Sequence, residues 1–245
     1  MRIAIHQPNY IPWCGYFAKM RSCDVFVFLD DAEISTSQSY VYRSKVRNET
    51  GPLWLSVPTR RKLHDLILGV RFADSKWSQK HLNKLHAFYH KCFYFDEVYA
   101  FLAPIYQETG DTLADFNVRM IRKIADYLGL GCRFERSSFL MADGLRDDRH
   151  ISLARIIGAN TYLSGKGGQN YQDPAKFAEA GIELDVRTYT PIPYKQIHGD
   201  FIAGLSILDA LFHLGRDTIQ ILEYSSHNGS TYERHPSSPP RSEIL

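Results

Sequence analysis

The fold is decided by the N-terminal stretch Arg2-Ile-Ala-Ile-His-Gln-Pro-Asn-Tyr-Ile-Pro-Trp-Cys-Gly-Tyr-Phe17 and by Cys23-Asp-Val-Phe-Val-Phe-Leu-Asp-Asp31, which follows it. A short apolar strand ends in a polar loop, a helix follows, and a second apolar strand ends on two aspartates. This order predicts a βαβ unit with two neighbouring parallel strands. Because ligands of open α/β sheets bind beyond the carboxyl ends of the strands, we expect the functional site where these two strands end.

The composition sets limits on the class of protein. The 245 residues predict a single α/β domain over residues 1–224, with a helical insertion at about residues 75–130 and a disordered tail at residues 225–245. The net charge of +2 gives no general case for nucleic acid binding, and the apolar runs are too short for membrane insertion. Four scattered cysteines without a Cys-x-x-Cys pair indicate no structural metal. We therefore expect a cytoplasmic protein, and the sequence leaves its oligomeric state open.

The remaining secondary structure follows from periodicity and turn residues. Strands are expected at residues 41–47, 52–58, 66–72, 133–136, 162–163 and 182–189. Helices are expected at residues 77–90, 96–108, 112–128, 152–158, 174–180 and 206–214, the last capped by Ser206. The fold class is therefore α/β, with an open, mostly parallel, Rossmann-like sheet and a helical insertion.

The ends of the first two strands carry the first candidate residues. His6 is a candidate acid, base or phosphate contact because an imidazole titrates near neutral pH, although it could simply fix the loop by a local hydrogen bond. Asp30 and Asp31 are candidate catalytic groups, and Asp31 is a candidate magnesium ligand; the alternative is a cap or an ion pair. Three polar side chains of the stiff loop after His6 are expected to bind ligand: Gln7, Asn9 and Tyr10.

Two further segments are candidate binding sites. Arg43, Lys45 and Arg47 alternate, which places them on one face of a strand, either as a solvated face or as a site for phosphates or a carboxylate. A glycine-rich loop follows strand 162–163 and could cradle a phosphate, although it lacks the Walker A pattern and could be a plain turn. Its predicted ligand-binding residues are Ser164, Gly165, Lys166, Gly167, Asn170 and Tyr171.

These segments resemble the WbqC-like protein family. The resemblance is carried by His6-Gln-Pro-Asn-Tyr10, Pro12-Trp13, Gly15-Tyr-Phe17, Asp24, Leu29-Asp-Asp31, Trp54-Leu55, Val57-Pro58, Tyr162-Leu-Ser-Gly165, Tyr171, Phe201 through Ser206, Asp209 and Gly215. Where the family usually has Asn-Arg-Asn, this chain has Tyr42-Arg43-Ser44. Family members occur with genes for surface polysaccharides such as O-antigen. The resemblance implies the transfer of glycine or a similar acyl group to an amino sugar.

A weaker resemblance concerns the mechanism. The order of strand, Gln7-Pro8, ring-rich loop, Gly15 and helix is similar to the adenylyl site of the HIGH superfamily, but the paired histidines of that motif are absent. This resemblance implies an acyl-adenylate made from ATP with magnesium.

The two resemblances together predict an enzyme that links an amino acid to the amine of a nucleotide-linked amino sugar. In this hypothesis Arg43 holds the diphosphate of the sugar nucleotide. The alternatives are an aminoacyl-tRNA-dependent transferase, which the low net charge disfavours, and a non-catalytic module that binds sugar nucleotides.

Overall fold

The computed structural model describes residues 1–35, 39–62, 64–168 and 172–224. The strands of these residues, in chain order, are β1 (Arg2–His6), β2 (Val25–Phe28), β3 (Arg43–Asn48), β4 (Gly51–Ser56), β5 (Thr59–Arg60), β6 (Arg71–Phe72), β7 (Arg133–Arg136), β8 (Thr161–Gly165) and β9 (Glu183–Arg187). The main sheet of the described residues has five parallel strands in the order β7-β2-β1-β8-β9. The prediction of an α/β fold with an open parallel sheet is confirmed. The predicted tail at 225–245 lies outside the described residues.

The helices connect the strands of this sheet. In chain order they are α1 (Cys14–Arg21), α2 (Trp77–Tyr89), α3 (Phe95–Gln107), α4 (Leu113–Tyr127), α5 (Ser137–Leu140), α6 (Arg146–Ile157), α7 (Pro174–Glu179) and α8 (Ile207–Leu214). Three successive helices, α2 to α4, lie within the predicted insertion. The hydroxyl of Ser206 accepts the N–H of Leu208 at 3.2 Å, so the predicted cap of α8 is confirmed.

Alternate residues of the two central strands face opposite cores. The side chains on one face of the sheet pack in the core that contains α2, α3, α4 and α8. Those on the other face pack against α6 and α7. The first set of side chains is Ala4, Phe26 and Phe28, and the second is Ile3, Ile5, Val25 and Val27. A parallel sheet covered on both faces requires apolar residues at every position, which explains the continuous apolar runs of β1 and β2.

The strand predicted at residues 66–72 is present only at its end, and the strand predicted at residues 52–58 lies outside the main sheet. Residues 66–72 form a 3-10 turn at Ile67–Gly69 and only then the short strand β6, because the N–H groups of Ile67 and Leu68 bond to the carbonyls of Ala32 and Asp30 at the end of β2. The strand predicted at residues 52–58 is present at Gly51–Ser56. It forms β4 of an antiparallel hairpin with β3, outside the main sheet, and alternate residues of β4 are exposed.

A buried amide joins the loop after β1 to the residues before β3. The Nδ2 of Asn117 on α4 donates to the carbonyls of Pro8 at 2.8 Å and Val41 at 2.7 Å, and the side chain has no exposed surface. In the same loop Ile11 has a φ of 34°, a left-handed conformation that β-branched residues rarely adopt. The contacts of Asn117 and the surrounding core therefore stabilise a loop conformation that the local sequence alone disfavours.

We expect Asn117→Ala to lower the free energy of unfolding by about 2–4 kcal/mol, because two buried carbonyls lose their donor. Urea unfolding of the purified variant measures this loss. Asn83→Ala, at an exposed position on α2, is the matched control and should change the free energy by less than about 0.5 kcal/mol. Equal stability of the two variants would contradict the role assigned to Asn117.

Candidate functional site

A cavity of about 420 Å³ lies where β1 and β8 end. Its lining comes from both strand ends, from α1, from α6 and from the turn after β8. The lining residues are Ile5, His6, Gln7, Lys19, Leu29, His150, Tyr162, Ser164, Gly165, Gly167, Gly168 and Gln172. The cavity lies at the edge of the sheet at which the sequence predicted a site, and this position is typical of ligand sites in parallel α/β folds.

His6 is a neutral imidazole in this cavity. Its Nδ1 lies 3.2 Å from the carbonyl oxygen of Gln7, and its ring packs edge-on against Tyr16 at 4.7 Å. Burial and, to a smaller extent, the nearby Lys19 ammonium lower the pKa of His6 to about 3. The expectation that His6 titrates near neutral pH is therefore wrong. At pH 7 its ring can donate and accept hydrogen bonds but carries no charge.

Lys19 is the cation of the cavity. It lies on α1, is only 8% exposed, and makes no ion pair with a carboxylate of the described residues. Burial lowers the pKa of Lys19 to about 8. Its Nζ lies 3.6 Å from the point where a Cβ at Gly165 would stand, so the ammonium lies beside the end of β8. A buried ammonium without a carboxylate partner is suited to bind an anion.

The remaining polar lining is uncharged. Burial lowers the pKa of His150 to about 4, and its Nδ1 is buried without a hydrogen-bond partner in the described part of the chain. The hydroxyl of Ser164 donates to Oε1 of Gln172 at 2.6 Å, and Nε2 of Gln172 donates to the hydroxyl of Tyr162 at 3.3 Å. These bonds link the side chain of Gln172 to the end of β8.

Asp30 and Asp31 do not line this cavity. Asp30 is fully buried and accepts hydrogen bonds from Nε of Arg136 at 2.6 Å and from the N–H and hydroxyl of Ser138 at 3.0 and 2.8 Å. Asp31 accepts from the hydroxyl of Ser137 at 2.6 Å and from the guanidinium of Arg149. The catalytic assignment of both aspartates is corrected here, because their oxygens already hold the strand ends to α5 and α6.

The predicted magnesium site at Asp31 does not fit these contacts. Among the residues that the structure describes, no group of three His, Cys, Asp or Glu side chains is placed to hold a metal ion. A hard cation such as Mg²⁺ requires oxygen ligands, and the guanidinium of Arg149 already neutralises this carboxylate.

The structure separates the other predicted residues into three groups. Gln7, Ser164, Gly165 and Gly167 line the cavity with His6. Asn9 and Tyr10 are buried away from it, and the hydroxyl of Tyr10 bonds to Nδ1 of His81 at 2.7 Å and to the hydroxyl of Tyr106 at 2.6 Å. Tyr10 is therefore a core residue. Lys166 is exposed and does not line the cavity, and Asn170 and Tyr171 lie outside the described residues.

Arg43 and Lys45 lie on the β3–β4 hairpin, beside the ring of Trp54 rather than in the cavity. Arg47 is buried and donates to Gln196 and, at 2.7 Å, to the carbonyl of Asp200. The prediction of one exposed basic face therefore fails at Arg47, because the loop at residues 196–200 covers it.

Sequence reasoning missed Lys19, His150 and Gln172. Lys19 gave a usable signal, since it stands within Tyr16-Phe-Ala-Lys-Met20, an otherwise apolar segment of a crossover helix. A lysine inside such an apolar run either buries its charged group in the core or directs it into a binding site. His150 and Gln172 gave no such signal, because polar residues of a helix and a loop are exposed by default.

Comparisons with known proteins support the resemblance to the WbqC-like protein family. The model of the WbqC-like protein family matches residues 7–221. The uncharacterized protein Rv1507c of Mycobacterium tuberculosis is 33% identical over 228 residues, which cover 91% of this chain and 98% of that protein. Within the described residues, none of the helices combines the length and the hydropathy that crossing a bilayer requires.

The turn after β8 provides a matched pair of variants. A Cβ at Gly168 would stand closer than 3.0 Å to the side chains of Ser164 and Gln172, whereas a Cβ at Gly167 would meet no atom within 4 Å. We expect Gly168→Ala to cost about 1–3 kcal/mol of unfolding free energy and Gly167→Ala to cost less than half as much, as measured by thermal and chemical unfolding. Equal losses would show that the Ser164–Gln172 contact does not fix this turn.

Lys19→Met should stabilise the protein without ligand. The folded state lowers the pKa of Lys19 from 10.5 to about 8, so the unfolded chain binds more protons between these values and stability rises with pH across this window. Below pH 8 the free-energy cost of burying the ammonium is fully present. Removing the ammonium should therefore raise the free energy of unfolding by about 1–4 kcal/mol at pH 7. This gain in unfolding free energy should shrink as the pH rises toward 10.5. Lys84→Met, at an exposed position on α2, should show neither effect.

Proposed function

The chain belongs to the WbqC-like protein family, and we propose that it is a biosynthetic enzyme that joins glycine or a similar amino acid to the amine of a nucleotide-linked amino sugar. Family membership supports the biosynthetic role. The amide-forming reaction is the proposal of this article, and surface-polysaccharide synthesis is the setting that the family resemblance implies.

One observation carries the proposal: the ammonium of Lys19 lies in a strand-end cavity with no carboxylate partner in the described residues. Among the described residues, no acidic side chain lines the cavity, and burial lowers the pKa of both imidazoles well below 7. A single cation among neutral hydrogen-bonding groups matches a ligand with one negative charge. The carboxylate group of an amino acid and the phosphate group of an acyl-adenylate each carry one negative charge.

The neutral groups would orient the acyl donor. His6 and His150 can donate or accept a hydrogen bond, and Gln172 is held in place by Ser164. Fixing the donor against Lys19 would place its carboxyl carbon for attack and lower the entropic cost of the reaction. The ammonium would also stabilise negative charge that develops on the acyl oxygen or on the leaving group.

The proposed reaction forms one carbon–nitrogen bond. The neutral amine of the sugar attacks the carboxyl carbon of the acyl-adenylate, the bond from that carbon to the phosphate oxygen breaks, and AMP leaves with its electron pair. The attacking nitrogen releases one proton as the amide forms. Activation of the carboxylate beforehand consumes ATP and releases pyrophosphate.

The test is to incubate the purified protein with ATP, magnesium and glycine and with a panel of nucleotide-linked amino sugars, and to follow products by mass spectrometry. We expect a product heavier by one glycyl residue, and glycine-dependent exchange of labelled pyrophosphate into ATP. Lys19→Met should lower kcat/KM about 10- to 100-fold, the usual loss for a charge-assisted contact. Lys84→Met is the control and should retain full activity.

Two outcomes would overturn parts of the proposal. Product that forms only when charged tRNA replaces ATP and glycine would show that the acyl group arrives as an ester of RNA. Binding of the amino-sugar nucleotide without product from either donor would show a binding module instead of an enzyme.

A further inference from the structure

A second candidate binding surface lies on the β3–β4 hairpin. Tyr40 and Trp54 are 54% and 36% exposed, and their ring centres are 5.7 Å apart. The guanidinium of Arg43 lies 4.0 Å from the ring centre of Trp54, and the ammonium of Lys45 lies 5.1 Å from it. We call these four residues the hairpin platform. Two large exposed rings beside two cations are unusual on a surface that only contacts water.

Basic residues outnumber acidic ones along the stretch of chain that contains the hairpin platform. Residues 39–62 contain six cations and one anion, although the whole chain has 29 basic and 27 acidic residues. The cations are Arg43, Lys45, Arg47, Arg60, Arg61 and Lys62, and the anion is Glu49. Lys45 forms no ion pair with any carboxylate in the described part of the chain. Arg47 is buried, and Arg43 and Lys45 are the cations beside Trp54, where their positive charge attracts an anionic ligand.

The geometry of the hairpin platform favours phosphate together with a flat ring. Lys45 and Trp54 are direct partners in the antiparallel register, so the strand pairing fixes the cations beside the indole. The guanidinium of Arg43 and the ammonium of Lys45 both bring positive charge to the ring of Trp54, and phosphate oxygens are attracted to such charge. The more exposed ring of Tyr40 offers a face on which a base can stack.

The hairpin platform is joined to the cavity by one loop. The N–H of Tyr10 donates to the carbonyl of Tyr40 at 2.9 Å, and the hydroxyl of Ser44 donates to the carbonyl of Ile11 at 2.8 Å. The same loop begins at His6 and Gln7, which line the cavity. A ligand on the hairpin platform would therefore lie beside the loop that also forms the cavity wall.

We propose that the hairpin platform binds a nucleoside diphosphate, with its phosphates on Arg43 and Lys45 and its base against Tyr40. The identification of this nucleotide as the carrier of the amino-sugar acceptor rests on the proposed function. Nucleotide binding itself rests on the charge and geometry of the hairpin.

The test is calorimetric titration with UDP, dTDP and ADP, together with quenching of tryptophan fluorescence. We expect Tyr40→Ala and Lys45→Ala each to weaken nucleoside diphosphate binding at least 10-fold, and wild-type affinity to fall with rising salt. Both side chains lie at the surface, and circular dichroism checks that the variants remain folded. Lys84→Ala is the control for charge and should bind as the wild type does.

Unchanged affinity in both variants would overturn the proposal. Tighter binding of a short single-stranded RNA, in competition with UDP, would also overturn it and assign the hairpin platform to RNA. Nucleotide binding that the variants weaken, without product in any assay, would support the platform while the proposed function fails. Product formation with an unchanged acceptor KM in Tyr40→Ala would support the function while the platform fails.

Discussion

The two hydrogen bonds of the Asn117 amide are the contact on which the functional face of this protein depends. They hold the loop after β1 against the residues that precede β3. That loop contributes His6 and Gln7 to the cavity, and Ser44 of the hairpin bonds to its carbonyl at Ile11. The side chain of Asn117 is inaccessible to solvent, so no water replaces it, and the loop, α4 and the hairpin must adopt their conformations together.

Lys19 shows how a binding group can be costly to the fold. The ordinary residue at a buried position of a crossover helix is apolar, and burial of an ammonium there lowers its pKa to about 8. The cost is small enough for the core on both faces of the sheet to sustain it. In return the cavity holds a positive charge in a poorly solvated place, where its attraction for an anion is stronger than at the surface.

The aspartates at the end of β2 show that position alone does not define a catalytic group. Asp30 and Asp31 lie at the same edge of the sheet as His6, but hydrogen bonds from Arg136 and Arg149 already satisfy them. These pairs attach the end of β7 and the helix α6 to the residues after β2. The carboxylates are used to build the edge of the sheet, and neither of them lines the cavity between β1 and β8.

The sequence by itself determined the βαβ unit, the parallel sheet, the helices of the insertion and the edge at which His6 and Gln7 meet the turn at Ser164, because periodicity and turn chemistry are local. It did not determine that the run at residues 66–72 forms a turn or that Tyr10 lies in the core. Only the tertiary structure decided that Arg136 and Arg149 occupy the two aspartates and that Lys19 and His150 face the cavity. The physical reason is that burial and charge pairing depend on residues more than 100 positions apart, such as Asp30 and Arg136, which are adjacent only when the sheet has formed.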